Sequence, residues 1–282
     1  MTVRIQCDTS LLTALRQNRL DTVGGAFAYG GGADLHKAGL DNRRRTRIEV
    51  SDIDGNTRVL YFKRYGPERP MTAIGRWFEH GRRVSPAGVE FDNINAARSA
   101  GIPTMEAVAY GEEFSLIGAK RSFLLATEVP GDALERCFED FLDRNADTPR
   151  EVIAITGKLA GLVAALHRAG YVHRDLYASH VFMDESPHRP ELYLIDLARM
   201  FRPRRRTFRW RVKDLAQLKY SMPPRWLESH WEGFLKVYFN GAPPGGPVEV
   251  WTQAIDAKVA WMRARSERKQ LASEAAGQGG AS

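Results

Sequence analysis

The chain has 282 residues, of which 43% are hydrophobic and 27% charged, with a formal net charge of +7. That apolar content excludes a globally disordered chain, and the length allows one large domain or two smaller lobes. No stretch approaches the roughly 20 apolar residues of a membrane-spanning helix, and Cys7 and Cys137 are far apart, without metal-type spacing, so they read as free thiols in a reducing compartment.

Met1–Leu20 lacks the apolar block and small-residue cleavage site of a secretory signal, so cytoplasmic residence is the expectation. Beyond a short helix near Leu11–Leu20, residues 1–28 suggest no element. From Tyr29 to Tyr65 the pattern is β. TRIEVSD and TRVLYFKRY are rich in β-branched and aromatic residues, and Asp54-Gly55-Asn56 between them is a hairpin signal. The preceding YGGGADLHKAG offers Gly31 and Gly32 for a phosphate-covering loop between two strands, although it lacks the G-x-G-x-x-G pattern and a flexible turn fits equally.

Lys63, in the second strand, is suited to hold ATP phosphates. A lone strand lysine more often faces water, but GVEFDNINAARSA downstream predicts a helix with Val89, Ile94 and Ala97 buried and Glu90 near its start. Glu90 would hold the Lys63 amine away from solvent. Glu79 and Glu106 compete for that role, the first ahead of an apparent loop and the second beyond the helix. GIPTMEAVAYG turns into a strand, and SFLLATEV forms another that ends at Pro130-Gly131. The chain would hinge at Pro130-Gly131, and Glu128 and Val129 just before it are candidates to bind the nucleotide.

Thr148-Pro149-Arg150-Glu151 predicts a capping box with proline at the first helical position. Ile153, Ile155, Leu159, Leu162, Val163 and Leu166 then describe a buried helix that Gly170 stops. Directly after it comes YVHRDLYASHVF, and beyond a turn-rich stretch LYLIDLAR. Two short apolar strands, each with an aspartate at an end, suit phosphoryl transfer. Asp175, with His173 and Arg174 before it, is the expected catalytic residue, and a loop aspartate capping a turn is the plainer alternative. Asp196 is the expected Mg²⁺ ligand, because carboxylates are the hard oxygen donors this ion prefers. His180 stands where a protein kinase has a second metal-binding asparagine. Either it joins the metal site, or one Mg²⁺ suffices and His180 meets a phosphate or a structural carboxylate.

Arginine runs occur at Arg43-Arg44-Arg45, at Arg82-Arg83 and from Arg202 to Lys213. Such runs suit anionic sugars, acidic membranes or nucleic acid, or are simply a solvated face. The segment Met200–Thr207 is short, rich in arginine and without Ala-Pro-Glu after it, which favours a small anionic acceptor over an extended protein. Arg202, Arg204, Arg205 and Arg206 are the candidates to bind it. Two further helices, HWEGFLKVYF and VEVWTQAIDAKVAWMRAR, flank a proline- and glycine-rich break.

HRDLYASHVF, LIDLARM and RWRVKDLAQLKYS, with VLYFKRY and GIPTMEAVAYG, resemble the lipopolysaccharide kinase (Kdo/WaaP) family, in order from about Asp34 to Phe239. Histidine at the position of His180 is typical there. The resemblance implies an α+β, protein-kinase-like fold and ATP- and Mg²⁺-dependent phosphorylation of an inner-core sugar, heptose or Kdo. It makes Lys63 the nucleotide lysine, Glu90 its helix partner, Asp175 and Asp196 the catalytic and metal aspartates, and Asp214 a structural support of the catalytic loop. A peripheral association with the cytoplasmic membrane face would follow, and no nucleic acid partner is expected. The expected organisation is a nucleotide lobe of sheet plus one helix over 1–129, a helical catalytic lobe over 130–265 and a disordered tail over 266–282. A kinase for another acceptor, or a kinase-like binding module, are the alternatives.

Overall fold

A computed structural model describes residues 2–35, 43–52, 55–116, 118–186, 190–241, 243–244 and 246–278, the last five as backbone. Asp54 of the predicted hairpin and His36–Gly39 of the glycine-rich stretch lie outside the described residues. The chain divides into two compact units: Met1–Val129 with Asp196–Ala198, and Pro130–Ile195 with Arg199–Ser282.

The first unit is built on a six-stranded antiparallel sheet. Its strands are β1 (Thr2–Cys7), β2 (Ala33–Asp34), β3 (Arg43–Ser51), β4 (Thr57–Tyr65), β5 (Ala107–Phe114) and β6 (Ala119–Thr127), in the order β1-β5-β6-β4-β3-β2. Strand side chains alternate between faces, and β4 uses both. Leu60 and Phe62 join a core with Leu15, Leu20, Val23 and Ala26, supplied through helices α1 (Leu12–Gln17) and α2 (Val23–Ala28) and the turn between them. Residues 1–28, only partly legible in the sequence, therefore add a strand and cover one sheet face. On the opposite face lies α4 (Pro86–Ser99), capped by the Ser85 hydroxyl accepting from the Gly88 amide at 3.0 Å. Val89, Glu90, Ile94 and Ala97 of α4 are all buried.

Between β4 and α4 runs α3 (Pro70–His80), a segment to which the sequence analysis assigns no element. Its apolar residues Met71, Ile74, Trp77 and Phe78 are exposed, and none of its residues is buried.

The second unit opens with β7 (Asp132–Ala133) and α5 (Leu134–Arg144), followed by the long helix α6 (Pro149–Arg168). Strands β8 (Val181–Asp184) and β9 (Glu191–Leu194) pair with β7 in the order β7-β8-β9. Helices α7 (Thr207–Ser221), α8 (Pro224–Phe239) and α9 (Val248–Gln278) complete it. α6 buries Val152, Ile155, Leu159 and Val163 on the i, i+3, i+4 spacing of one face, and Trp226 of α8 donates to Thr156 at 2.9 Å.

Three sequence expectations change here. Thr148 makes no side-chain capping bond, since its backbone is not extended; its hydroxyl lies 3.4 Å from Asn145 Oδ1, and Pro149 with the Glu151 amide on the Thr148 carbonyl starts the helix. Ile153 is 61% exposed because Val152 takes the buried position. Helix α9 continues through 266–278, where a disordered tail is predicted, because Arg, Lys, Gln, Leu, Glu and Ala there are strong helix formers. Gly170, at φ +84°, ends α6 as expected.

Candidate active site

In the first unit, sheet alternation turns Lys63 towards α4, where it pairs with buried Glu90. The Tyr65 hydroxyl, two residues on and on the same face, donates to the other Glu90 oxygen at 2.9 Å. Burial, with Glu90 beside it, pushes the Tyr65 phenol well above its ordinary range, so it remains a donor. Lys63 also lies 3.6 Å from Asp196. Arg45, paired with Lys63 across β3 and β4, reaches Asp196 at 3.1 Å, and Arg43 lies 3.6 Å from it. Burial pulls the Arg43 guanidinium down, but Tyr65, Glu90 and Asp196 outweigh it and leave the group above its ordinary value. One carboxylate thus sits among three cations. Asp196 adopts φ +56°, a left-handed conformation uncommon for a residue with a side chain. Asn93 of α4 holds the next residue by donating to the Leu197 carbonyl at 2.8 Å.

Among the described residues Arg43 Nε and Arg45 Nε are buried without a hydrogen-bond partner, and Arg43 Nη2 has only the longer ion-pair contacts to Asp196 and Glu90 at 3.6 and 3.9 Å. A buried guanidinium N–H left unpaired costs free energy, so an anion with several oxygens fits this face.

In the second unit, Asp175 follows α6 through a loop that Asp214 of α7 holds from beneath. Buried Asp214 accepts from the backbone amides of His173 at 2.7 Å and Arg174 at 2.9 Å. Its Oδ2 also lies 3.2 Å from His167 Nε2, and His167 Nδ1 lies 2.7 Å from the Tyr238 hydroxyl. One tautomer satisfies both: Tyr238 donates to Nδ1, and Nε2–H donates to Asp214. The buried His173 ring donates from Nε2 to the Ile195 carbonyl at 3.0 Å, tying the loop to the residue before Asp196. Arg174, at φ +72°, lays its guanidinium 5.3 Å from the Phe201 ring and 5.5 Å from that of Trp210.

The Asp175 carboxylate receives Arg199 Nη1 at 2.9 Å from both oxygens. His180 Nδ1 lies 2.7 Å from the Asp175 carbonyl oxygen, and its ring stacks on His173 with centroids 5.8 Å apart. Its Nδ1 is therefore bonded to main chain of the catalytic loop. Lys213 donates to the Arg174 carbonyl, and burial pushes its ammonium below the ordinary range against the pull of Asp175 and Asp214.

The other expected residues take different places. Gly31 and Gly32 precede β2, after α2, instead of lying between two strands. Gly32, at φ +89°, fits closely against β3, where a Cβ would stand 2.6 Å from the Arg47 carbonyl oxygen. Glu128 turns to Tyr61 at 3.1 Å and Arg47 at 3.5 Å, its amide donates to the Val59 carbonyl, and Val129 is buried. Glu106 pairs with Arg98 of α4 at 3.0 Å, and Glu79 sits on exposed α3. Arg202 stacks over Tyr171 at 4.4 Å, while Arg204, Arg205 and Arg206 are exposed before α7. Sequence reasoning misses Arg199, His167 and Tyr238. Arg199 lies three residues past Asp196 in LIDLAR, a signal within reach; the other two are read only through folding.

Three comparisons bear on these clusters. The model of the lipopolysaccharide kinase (Kdo/WaaP) family matches residues 39–238. The chain is 32% identical over 242 residues to the lipopolysaccharide core heptose(I) kinase WaaP of Pseudomonas aeruginosa, covering 81% of this chain and 84% of that one. To the protein of the same description from Escherichia coli it is 30% identical over 203 residues, covering 67% and 74%. A solved structure described as WaaP in complex with acyl carrier protein aligns with a TM-score of 0.64 at 26% identity, over 94% of this chain and 98% of that chain. The likeness carries the kinase-like fold, with a β-sheet unit and a helical unit.

Proposed function

The chain belongs to the lipopolysaccharide kinase (Kdo/WaaP) family and is a phosphotransferase, and from that premise we propose that it transfers the γ-phosphate of ATP to a heptose hydroxyl of the lipopolysaccharide inner core. The observation that carries the chemistry is the Asp196 carboxylate beside Lys63, Arg43 and Arg45, with Glu90 shared by the first two. The heptose rests on the relatives, which are described as core heptose(I) kinases.

In this reading Lys63, Arg43 and Arg45 hold the nucleotide phosphates, and the unpartnered buried N–H groups of the two arginines fit that role. Asp196 would hold Mg²⁺ through a hard oxygen donor, and the ion would spread the charge that builds on the phosphate. Glu90 keeps Lys63 in place, and Tyr65 keeps Glu90 oriented. Asp175 accepts a hydrogen bond from the acceptor hydroxyl, aligns its oxygen for in-line attack and takes the proton. Arg199 holds that carboxylate in one rotamer, and Asp214 fixes the backbone beneath it. His180 and His173 are positioning residues for the loop.

The acceptor is a glycolipid, so the protein works at a membrane surface on the cytoplasmic side. Among the described residues no helix is long and apolar enough to cross a membrane. Helix α3 supports surface association: Met71 and Phe78 are 79% and 83% exposed, Trp77 lies beside them, and Arg69 and Arg82 flank the helix.

The test supplies ATP with two dephosphorylated inner cores, one carrying heptose and one ending at Kdo, and locates the phosphate by ³¹P NMR. Phosphate on the heptose alone is expected. Phosphate on Kdo, or on neither, overturns the proposal.

A further inference from the structure

Helices α7 and α9 enclose a pocket of about 750 Å³ in the second unit, within the roughly 300–1,000 Å³ of small-molecule sites. From α9 it is lined by Ala254, Ala257, Lys258 and Trp261, whose i, i+3, i+4, i+7 spacing puts them on one helix face. The two alanines leave the space, and Trp261 stands at the edge, 46% exposed. From α7 come Arg209, Trp210 and Lys213, and Arg174 closes the end nearest the catalytic loop.

Four cations line this pocket, and among the described residues none of them forms an ion pair with a carboxylate. They gather instead on aromatic faces. The Lys258 ammonium lies 3.5 Å from the Trp261 ring centroid, while Arg174, Lys213 and Arg209 lie 5.5, 5.9 and 6.0 Å from that of Trp210. Burial lowers the Lys213 ammonium against the pull of Asp175 and Asp214, and burial with neighbouring Arg209 and Arg265 lowers that of Lys258. Among the described residues the Arg174 Nε is buried with no hydrogen-bond partner. Cations beside two indole rings suit a ligand with an anionic group and a flat, C–H-rich face.

We infer that this pocket is a subsite for an anionic sugar that adjoins the acceptor heptose, a pyranose ring bearing a carboxylate or phosphate that anchors the inner core while the heptose hydroxyl is phosphorylated. The inference rests on the inner-core acceptor proposed above. It gives Arg209, Lys258 and Trp261 a specificity role that sequence analysis places on Arg202–Arg206, of which none lines the pocket. The link to chemistry is short, because Lys213 is bonded to the Arg174 carbonyl and Asp175 is the next residue.

The test has two parts. Tryptophan fluorescence of the purified full chain is followed as 3-deoxy-octulosonic acid, a hexose phosphate or neutral heptose is added. Either anionic sugar, or both, should quench saturably and identify the anion, and neutral heptose should not. Lys258→Gln with Arg209→Gln should weaken binding by about tenfold or more; Trp261→Phe should remove most of the quench; and Asp175→Asn should bind normally. Unfolding temperatures confirm that each variant is folded. In turnover with the dephosphorylated inner core, the double variant should raise the acceptor KM by about tenfold or more, the loss of two charge-assisted contacts, with the KM for ATP unchanged. Turnover by the wild type with an acceptor KM insensitive to the double variant overturns the subsite and leaves the kinase reading intact. Variant-sensitive anionic sugar binding without inner-core turnover does the reverse. Quenching by fatty acid or adenine nucleotide in place of either sugar overturns the subsite.

Discussion

Asp214→Asn replaces a carboxylate with an amide at nearly constant volume. Asp214 accepts at 2.7 and 2.9 Å from the His173 and Arg174 amides and lies 3.2 Å from His167 Nε2. Asparagine keeps one acceptor oxygen and turns an NH₂ towards the other donors, so at least one buried N–H loses its partner. Hydrogen bonds to a charged group contribute roughly 1.5–3 kcal/mol each, and breaking a buried charged set costs about 3–5 kcal/mol. Because Asp214 has no solvent exposure, little of that loss is recovered from water. At about 1.4 kcal/mol per decade, the loop should open roughly 10²–10³ times more often. Hydrogen exchange read at His173 and Arg174 measures this directly, with the interior amides of α6 as the internal reference. Phosphoryl transfer should fall by about a hundredfold, as expected when a catalytic group is displaced by about 1 Å. Unchanged exchange at both amides in a folded variant would refute the claim that Asp214 holds the loop.

Glu90→Ala leaves Lys63 buried without its carboxylate and should cost about 3–5 kcal/mol in urea unfolding; Lys63→Met with Glu90→Leu should recover most of that stability and none of the activity. Burial, then Asp132, pushes the Cys137 thiol up to about 11. Its alkylation rate should therefore climb through pH 9 and reach only half its maximum near pH 11, and a plateau at pH 9 contradicts the burial. The sign for stability follows: the folded state keeps a proton that the unfolded thiol loses near 8.5, so this contribution fades as pH rises from there to about 11. Trp77→Ser with Phe78→Ser should abolish flotation with vesicles rich in anionic phospholipid while leaving transfer to a deacylated acceptor intact; flotation at the wild-type level would remove α3 from the membrane.

What the sequence makes legible here is local. The proline-started, glycine-stopped helix and HRD segment lead to the catalytic loop, and a lysine on β4 with a glutamate one turn into α4 leads to a pair that the structure forms. What escapes depends on which neighbour a fold supplies. Thr148 has the residue type of a cap but not the backbone, and Ile153 is as apolar as Val152 yet stands off the buried face. Helix α3 shows its amphipathic spacing but buries nothing, so a reading that seeks core does not find it. His167 and Tyr238 are ordinary residues of apolar helices until folding brings His167 to Asp214 and Tyr238 to His167. Arginine runs suggest an anion site by density, yet Arg204–Arg206 face solvent, while the pocket draws its charge from residues spread between 174 and 258.

The most direct test of the central claim is transfer of radiolabelled phosphate from ATP to dephosphorylated inner-core lipopolysaccharide by the wild type, Asp175→Asn and Asp196→Asn. Label on the saccharide with the wild type and a loss of about three orders of magnitude or more in each folded variant is the predicted result. Undiminished transfer by either variant would contradict the roles of these two aspartates.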